Sequence, residues 1–71
     1  MRRAVIDLGT NTFNLLIADT QTRQVLFQTK EGVALGMGGI NEGRISEAAM
    51  VRAFDTLHRF KALCQTWQVQ D

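Results

Sequence analysis

Two apolar runs separated by a short polar stretch constrain this chain more than anything else in it. Ala4-Val5-Ile6 precedes Asp7-Leu8-Gly9-Thr10-Asn11-Thr12, and Phe13-Asn14-Leu15-Leu16-Ile17-Ala18 follows it. Runs of β-branched and apolar residues on either side of Asp, Gly and Asn read as strands joined by a tight turn. So short a connection makes the strands antiparallel, because parallel neighbours need a crossover of roughly a dozen residues or more. The turn also concentrates a carboxylate, hydroxyls, an amide and a glycine that lets backbone approach a ligand. Such groups suit a phosphate or a metal ion.

The reading extends along the chain. Strand one is expected over about 3–8 and, being apolar without interruption, as a central strand covered on both faces. Strand two is expected over 13–19, and Thr20-Gln21-Thr22-Arg23 as a polar hairpin connection. Strand three is expected over 24–35, with Gly32 marking a bulge or bend within it. The glycine-rich residues 36–43 read as an irregular loop packed through Met37 and Ile40. Ser46 is an N-cap candidate for a helix over 46–68, with Glu47 complementing the dipole. Ala49, Ala53, Leu57, Phe60, Cys64 and Trp67 form one apolar face, widened by Met50, Phe54 and Leu63. Asp55 and Arg59 are spaced for an i, i+4 pair on the polar side. The result is an α/β unit, a three-stranded antiparallel meander followed by one long helix.

One helix cannot cover both faces of a sheet whose strands read as apolar throughout. The other face and an edge are therefore expected to be covered by something else, either more of a larger protein or further copies. Homo-oligomeric association is the expectation for the chain alone. Its ending in Trp67-Gln68-Val69-Gln70-Asp71, with no terminating strand expected, favours a segment of a larger protein.

With 71 residues the chain is one small domain or part of one, and a unit this size buries only about 60% of its unfolded surface. A formal net charge of +1 gives no electrostatic footprint for nucleic acid or an anionic membrane. No run approaches the ~20 apolar residues of a membrane span. A lone Cys64 and a lone His58 exclude an internal disulfide and a zinc cluster. A cytoplasmic location is the expectation.

The stretch from Arg3 to Ala18 resembles the opening of the exopolyphosphatase / guanosine pentaphosphate phosphohydrolase (Ppx/GppA) family. Members begin with a strand, Asp-x-Gly-[Ser/Thr]-Asn-[Ser/Thr], and a second strand. Lys30-Glu31-x-Val33-x-Leu35-Gly36, Gly43-x-Ile45-Ser46 and a helix with Ala48-x-Met50 follow in the family's order. The resemblance implies the N-terminal portion, about a quarter, of a ribonuclease H-like protein of the actin-like ATPase and sugar kinase superfamily. Residues 1–71 would then be an N-terminal fragment of the first actin-like ATPase domain.

By the same resemblance Asp7 sits by a divalent cation, Mg²⁺, or by the water near the scissile phosphate. Gly9, Thr10, Asn11 and Thr12 form the first phosphate-binding loop. The implied activity is hydrolysis of a terminal phosphoanhydride of polyphosphate or guanosine pentaphosphate. The catalytic glutamate and a second phosphate loop are implied beyond residue 71, so these residues alone should be inactive. Ala34 and Met37 depart from the family, which often carries arginine and an acidic residue there. Alternatives are the phosphate turn of a sugar- or acetate-kinase-like enzyme, and a non-catalytic assembly module. Against the kinases stand Asn11 and the compact spacing to Ser46.

Blander readings stand beside these. Asp7 could be a turn-capping aspartate, and Gly9 and Asn11 pure turn formers. Lys30 and Arg44 could reach a polyanion but read as solvated, as does Glu42. Cys64 reads as a small core residue. His58 has no partner for ligand or acid–base work. Trp67 and Phe60 read as packing, and Gly36-x-Gly38-Gly39 lacks the rest of a dinucleotide fingerprint.

Overall fold

A computed structural model describes residues 1–34 and 46–71. Strands β1 (Arg2–Leu8), β2 (Thr12–Asp19) and β3 (Val25–Gly32) form a sheet in the order β1-β2-β3, followed by helix α1 (Glu47–Thr66). Both pairings are antiparallel, as the short connections require. The register sets Asp7 opposite Asn14 and Leu8 opposite Phe13. On the other side of β2, Asn14 faces Lys30 and Phe13 faces Glu31. A shift between Ile17 and Ala18 brings Val25 opposite Ala18. The expected meander is present, with β3 ending at Gly32 and not at Leu35, which lies outside the described residues, as do the loop with Met37 and Ile40 and residues Glu42 and Arg44.

Strand β2 alternates with period two. Phe13, Leu15 and Ile17 are buried, while Asn14 and Leu16 are half-buried on the opposite face. The buried set meets Phe60 and Val33, and Ala4, Phe27, Leu57, Leu63 and Trp67 pack around it. This centre strand, and not β1, is the covered one. Val5 is 54% exposed and Leu8 59% exposed, on opposite faces of β1, so the expectation of a doubly covered first strand is corrected among the described residues.

Ser46 caps α1 as expected, its Oγ accepting from the Ala49 N–H at 3.1 Å. The helix ends in a Schellman arrangement: Val69 N–H reaches Cys64 O at 2.9 Å, Gln68 N–H reaches Gln65 O at 3.1 Å, and Gln68 takes φ 56°. Thr56 is buried on the inner stripe, and its hydroxyl accepts from Arg59 Nη2 at 3.1 Å. Met50 and Phe54 do not widen the core. Both are exposed, Phe54 by 58%, because they sit to one side of the Ala49–Ala53–Thr56–Phe60 stripe. Arg59 does not pair with Asp55 but donates to both Glu31 carboxylate oxygens, at 2.9 and 3.0 Å, tying α1 to β3.

The chain beyond the helix lies along the outer edge of β1. Gln70 N–H donates to Arg2 O at 3.0 Å, and Ala4 N–H to Asp71 O at 2.8 Å, so the two segments run in the same direction. Arg3 pairs with the Asp71 carboxylate at 2.7 Å. Arg2 donates to Trp67 O at 2.6 Å and lies 6.0 Å from the Trp67 ring centre, while that ring packs 5.5 Å from Phe27. The expected absence of a strand-like ending is thus replaced by an extended tail paired to β1. No described helix is long and apolar enough to cross a membrane.

Candidate functional site

The β1–β2 turn is closed by Gly9 N–H donating to Thr12 O at 3.0 Å. A Cβ on residue 9 would lie 2.8 Å from that carbonyl oxygen, nearer than side chains approach backbone, so the sharpness of the turn depends on glycine here. Beyond this bond the tip is open. The backbone N–H groups of Thr10 and Asn11 have no acceptor among the described residues, and both residues are exposed. The side chains of Asp7, Thr10, Asn11 and Thr12 likewise have no hydrogen-bond partner there. Free amides and hydroxyls on a tight turn beside a carboxylate form a concavity suited to an oxyanion and its counter-cation.

One group of the turn is engaged, and it fixes the turn in place. Asn11 O accepts from both Val33 N–H, at 2.8 Å, and Ala34 N–H, at 3.0 Å. The carbonyls of these same two residues accept from α1: Arg52 Nε reaches Val33 O at 2.8 Å and Nη2 reaches Ala34 O at 3.0 Å. Turn, strap and helix are thereby joined through one guanidinium. Ala34 sits at φ 48°, a left-handed conformation held by bonds on both sides of the residue. Arg52 was not singled out by sequence reasoning. Its signal is positional: it lies three residues after Ala49 and four before Thr56, on the inward side of an amphipathic helix.

All five expected site residues fall in this hairpin. Asp7 is near the end of β1 and exposed, on the face away from α1, while Gly9 to Thr12 make the turn itself. Among the described residues no group of three or more His, Cys, Asp or Glu could by itself hold a metal ion. A single exposed carboxylate still fits Mg²⁺, which keeps several waters and takes substrate phosphate oxygens as its other ligands. Cys64 is held above its ordinary thiol range by burial, in keeping with packing and not nucleophilic work. His58 is exposed on the helix.

Over 99% of its length the chain superposes on an exopolyphosphatase from Cytophaga hutchinsonii, with TM-score 0.92 and 47% identity. This is a segment of the exopolyphosphatase, or Ppx/GppA, family. The chain also matches the type II variant of the Aquifex aeolicus Ppx/GppA phosphatase, at TM-score 0.89 and 25% identity over 99% of the chain. A further Aquifex aeolicus family member shares the fold at TM-score 0.87 and 24% identity, again over 99% of the chain. The chain spans 23% of the Cytophaga protein and 24% of each Aquifex chain. No protein-family model and no curated protein sequence matches it.

Proposed function

We propose that this chain carries the first phosphate-binding element of a phosphatase that hydrolyses a terminal phosphoanhydride of polyphosphate or guanosine pentaphosphate. The observation that carries this reading is the open turn: unengaged N–H groups of Thr10 and Asn11, hydroxyls of Thr10 and Thr12, and the free carboxylate of Asp7 in one hairpin. The structural relatives, named as exopolyphosphatase and Ppx/GppA phosphatase, support it. A ribonuclease H-like, actin-like ATPase domain of which residues 1–71 are the start is part of the same proposal, as is a cytoplasmic setting.

Phosphoryl transfer depends on positioning and on stabilising charge that spreads over the equatorial oxygens. The Thr10 and Asn11 amides donate to those oxygens from a turn fixed beforehand by Gly9, the Val33–Ala34 strap and Arg52. Asp7 would hold Mg²⁺, whose charge offsets that of the phosphates. The attacking water needs a base, and among the described residues no second carboxylate lies free beside the turn: Asp71 is paired with Arg3 toward the other end of β1. Glu31 lies on the helix side, engaged by Arg59. We assign the base to a part of the protein outside these 71 residues. They should accordingly bind phosphate and fail to cleave a phosphoanhydride alone.

The test is phosphate release from polyphosphate and from guanosine pentaphosphate by the full-length protein and its Asp7→Ala variant. Release reduced at least about a hundredfold in the variant supports the reading. Undiminished release removes Asp7 from the site, and phosphate transfer to a sugar or acetate replaces hydrolysis by kinase chemistry.

A further inference from the structure

The register aligns three polar side chains in one row beside the turn. Asp7 faces Asn14, and Asn14 faces Lys30. Residues directly opposite one another in antiparallel strands share a face. That face is the one away from α1, because Phe13 and Leu15, on either side of Asn14, are buried beneath the helix. Further from the turn the same face is largely apolar, with Val5, Leu16, Ala18 and Val25. A cavity of about 370 Å³ opens beside the row, lined by Asn14, Gln28, Thr29 and Lys30.

Lys30 differs from the other basic residues near this sheet. Arg2, Arg3, Arg52 and Arg59 are committed to Trp67, Asp71, the Val33–Ala34 carbonyls and Glu31. Arg23 belongs to the far hairpin, and Lys61 is on the helix. Among the described residues Lys30 is the uncommitted cation at the turn end of the open face. Two strand spacings place its backbone about 9–10 Å from that of Asp7. Between the two side chains there is room for linked phosphates, with their terminal unit at the turn.

We propose that Lys30 is a substrate-binding residue that takes the phosphate next to the terminal one, so that the site selects chains of linked phosphates over a single phosphate. This rests on the phosphatase reading and adds a residue and a selectivity to it. The ammonium is a compact charge with several donors, suited to an oxyanion whose position varies along a flexible chain. Because that unit becomes the leaving group when the terminal phosphoanhydride breaks, the ammonium both holds the substrate and offsets the charge that develops on the departing phosphate.

The experiment compares full-length wild type, Lys30→Gln and Lys30→Arg, using tripolyphosphate as substrate and orthophosphate as competing ligand. The glutamine variant should raise KM for tripolyphosphate about tenfold or more, the loss of one charge-assisted contact. Its kcat should fall as well, since the same ammonium faces the leaving phosphate, while its inhibition by orthophosphate should stay within about twofold, and arginine should restore KM. An unchanged KM overturns the proposal, as does an equal loss of affinity for orthophosphate and tripolyphosphate. If wild type hydrolyses tripolyphosphate and Lys30→Gln equals it, the proposal alone falls. If wild type releases phosphate from none of tripolyphosphate, longer polyphosphate and guanosine pentaphosphate, the phosphatase reading falls with it.

Discussion

Two aspartates stand at the two hairpins of this sheet, and they behave in opposite ways. Asp19 turns back on its own loop, its Oδ1 accepting from Gln21 N–H at 2.8 Å and Thr22 N–H at 3.2 Å. The same loop closes twice more, through Arg23 N–H to Asp19 O at 2.8 Å and Asp19 N–H to Gln24 O at 2.9 Å. Asp7 makes no such bond, and the amides of its turn are left without acceptors among the described residues. The β2–β3 hairpin is saturated by its own groups, whereas the β1–β2 hairpin offers donors and a carboxylate outward. A turn-capping aspartate, the bland reading of Asp7, therefore describes Asp19. What marks a binding turn is the polar capacity left over after the fold is satisfied.

The comparison can be broken by exchanging the effects of the two residues. In the full-length protein Asp7→Ala should reduce phosphate release at least about a hundredfold with little change in thermal stability. Asp19→Ala should lower the melting temperature and leave release per folded molecule unchanged. If the two variants lose activity alike, the contrast fails. Next in size is Gly9→Ala. Its Cβ would meet the Thr12 carbonyl at 2.8 Å, and the forced shift should cost about 1–3 kcal/mol in a denaturant titration. Phosphate affinity should fall with it, since the same shift moves the Thr10 and Asn11 amides.

Arg52→Met keeps much of the side chain's bulk but leaves the Val33 and Ala34 carbonyls without their donor. It should cost about 1–2 kcal/mol and raise KM more than it lowers kcat, because the turn loosens through Asn11. Kinetics with unchanged KM would show that the strap does not reach the site. The smallest effect is in pH. The Gln21 and Thr22 amides, first, hold the Asp19 carboxyl below its ordinary value of 3.8. The folded pKa is thus lower than the unfolded one. Its stabilisation is complete above about 3.8 and is lost as pH falls through the depressed folded value. The acid limb of a stability profile should flatten in Asp19→Asn.

The order of elements and the identity of the turn were legible because they rest on local signals. Gly9 and Asn11 between apolar runs, and Ser46 before Glu47, leave little room for another reading. What escaped depended on tertiary partners. Met50 and Phe54 have the chemistry of core residues and the wrong angle around α1, while Thr56 has the right angle and a hydroxyl that Arg59 satisfies. Arg59 sits four residues from Asp55, but the carboxylate it reaches is brought by β3. Lys30 reads as a solvated lysine until the register sets it in a row with Asp7. Residues 35–45 lie outside the described residues, so the expectations for that glycine-rich stretch have no counterpart.

The pairing of the tail with β1 has a consequence for the order of assembly. Strand contacts within the meander join residues near in sequence, but the Arg3–Asp71 contact spans 68 residues. Closing a long loop costs more entropy than closing a short hairpin, and it becomes less costly once the intervening chain is already folded. On loop-closure grounds the hairpins are expected to form first, the helix to dock on β2 next, and the outer edge of β1 to be sealed last. On a ribosome β1 must wait for Asp71 to emerge before Ala4 finds its acceptor. Among these four elements, the strand that carries Asp7 is thus made before the others and completed after them.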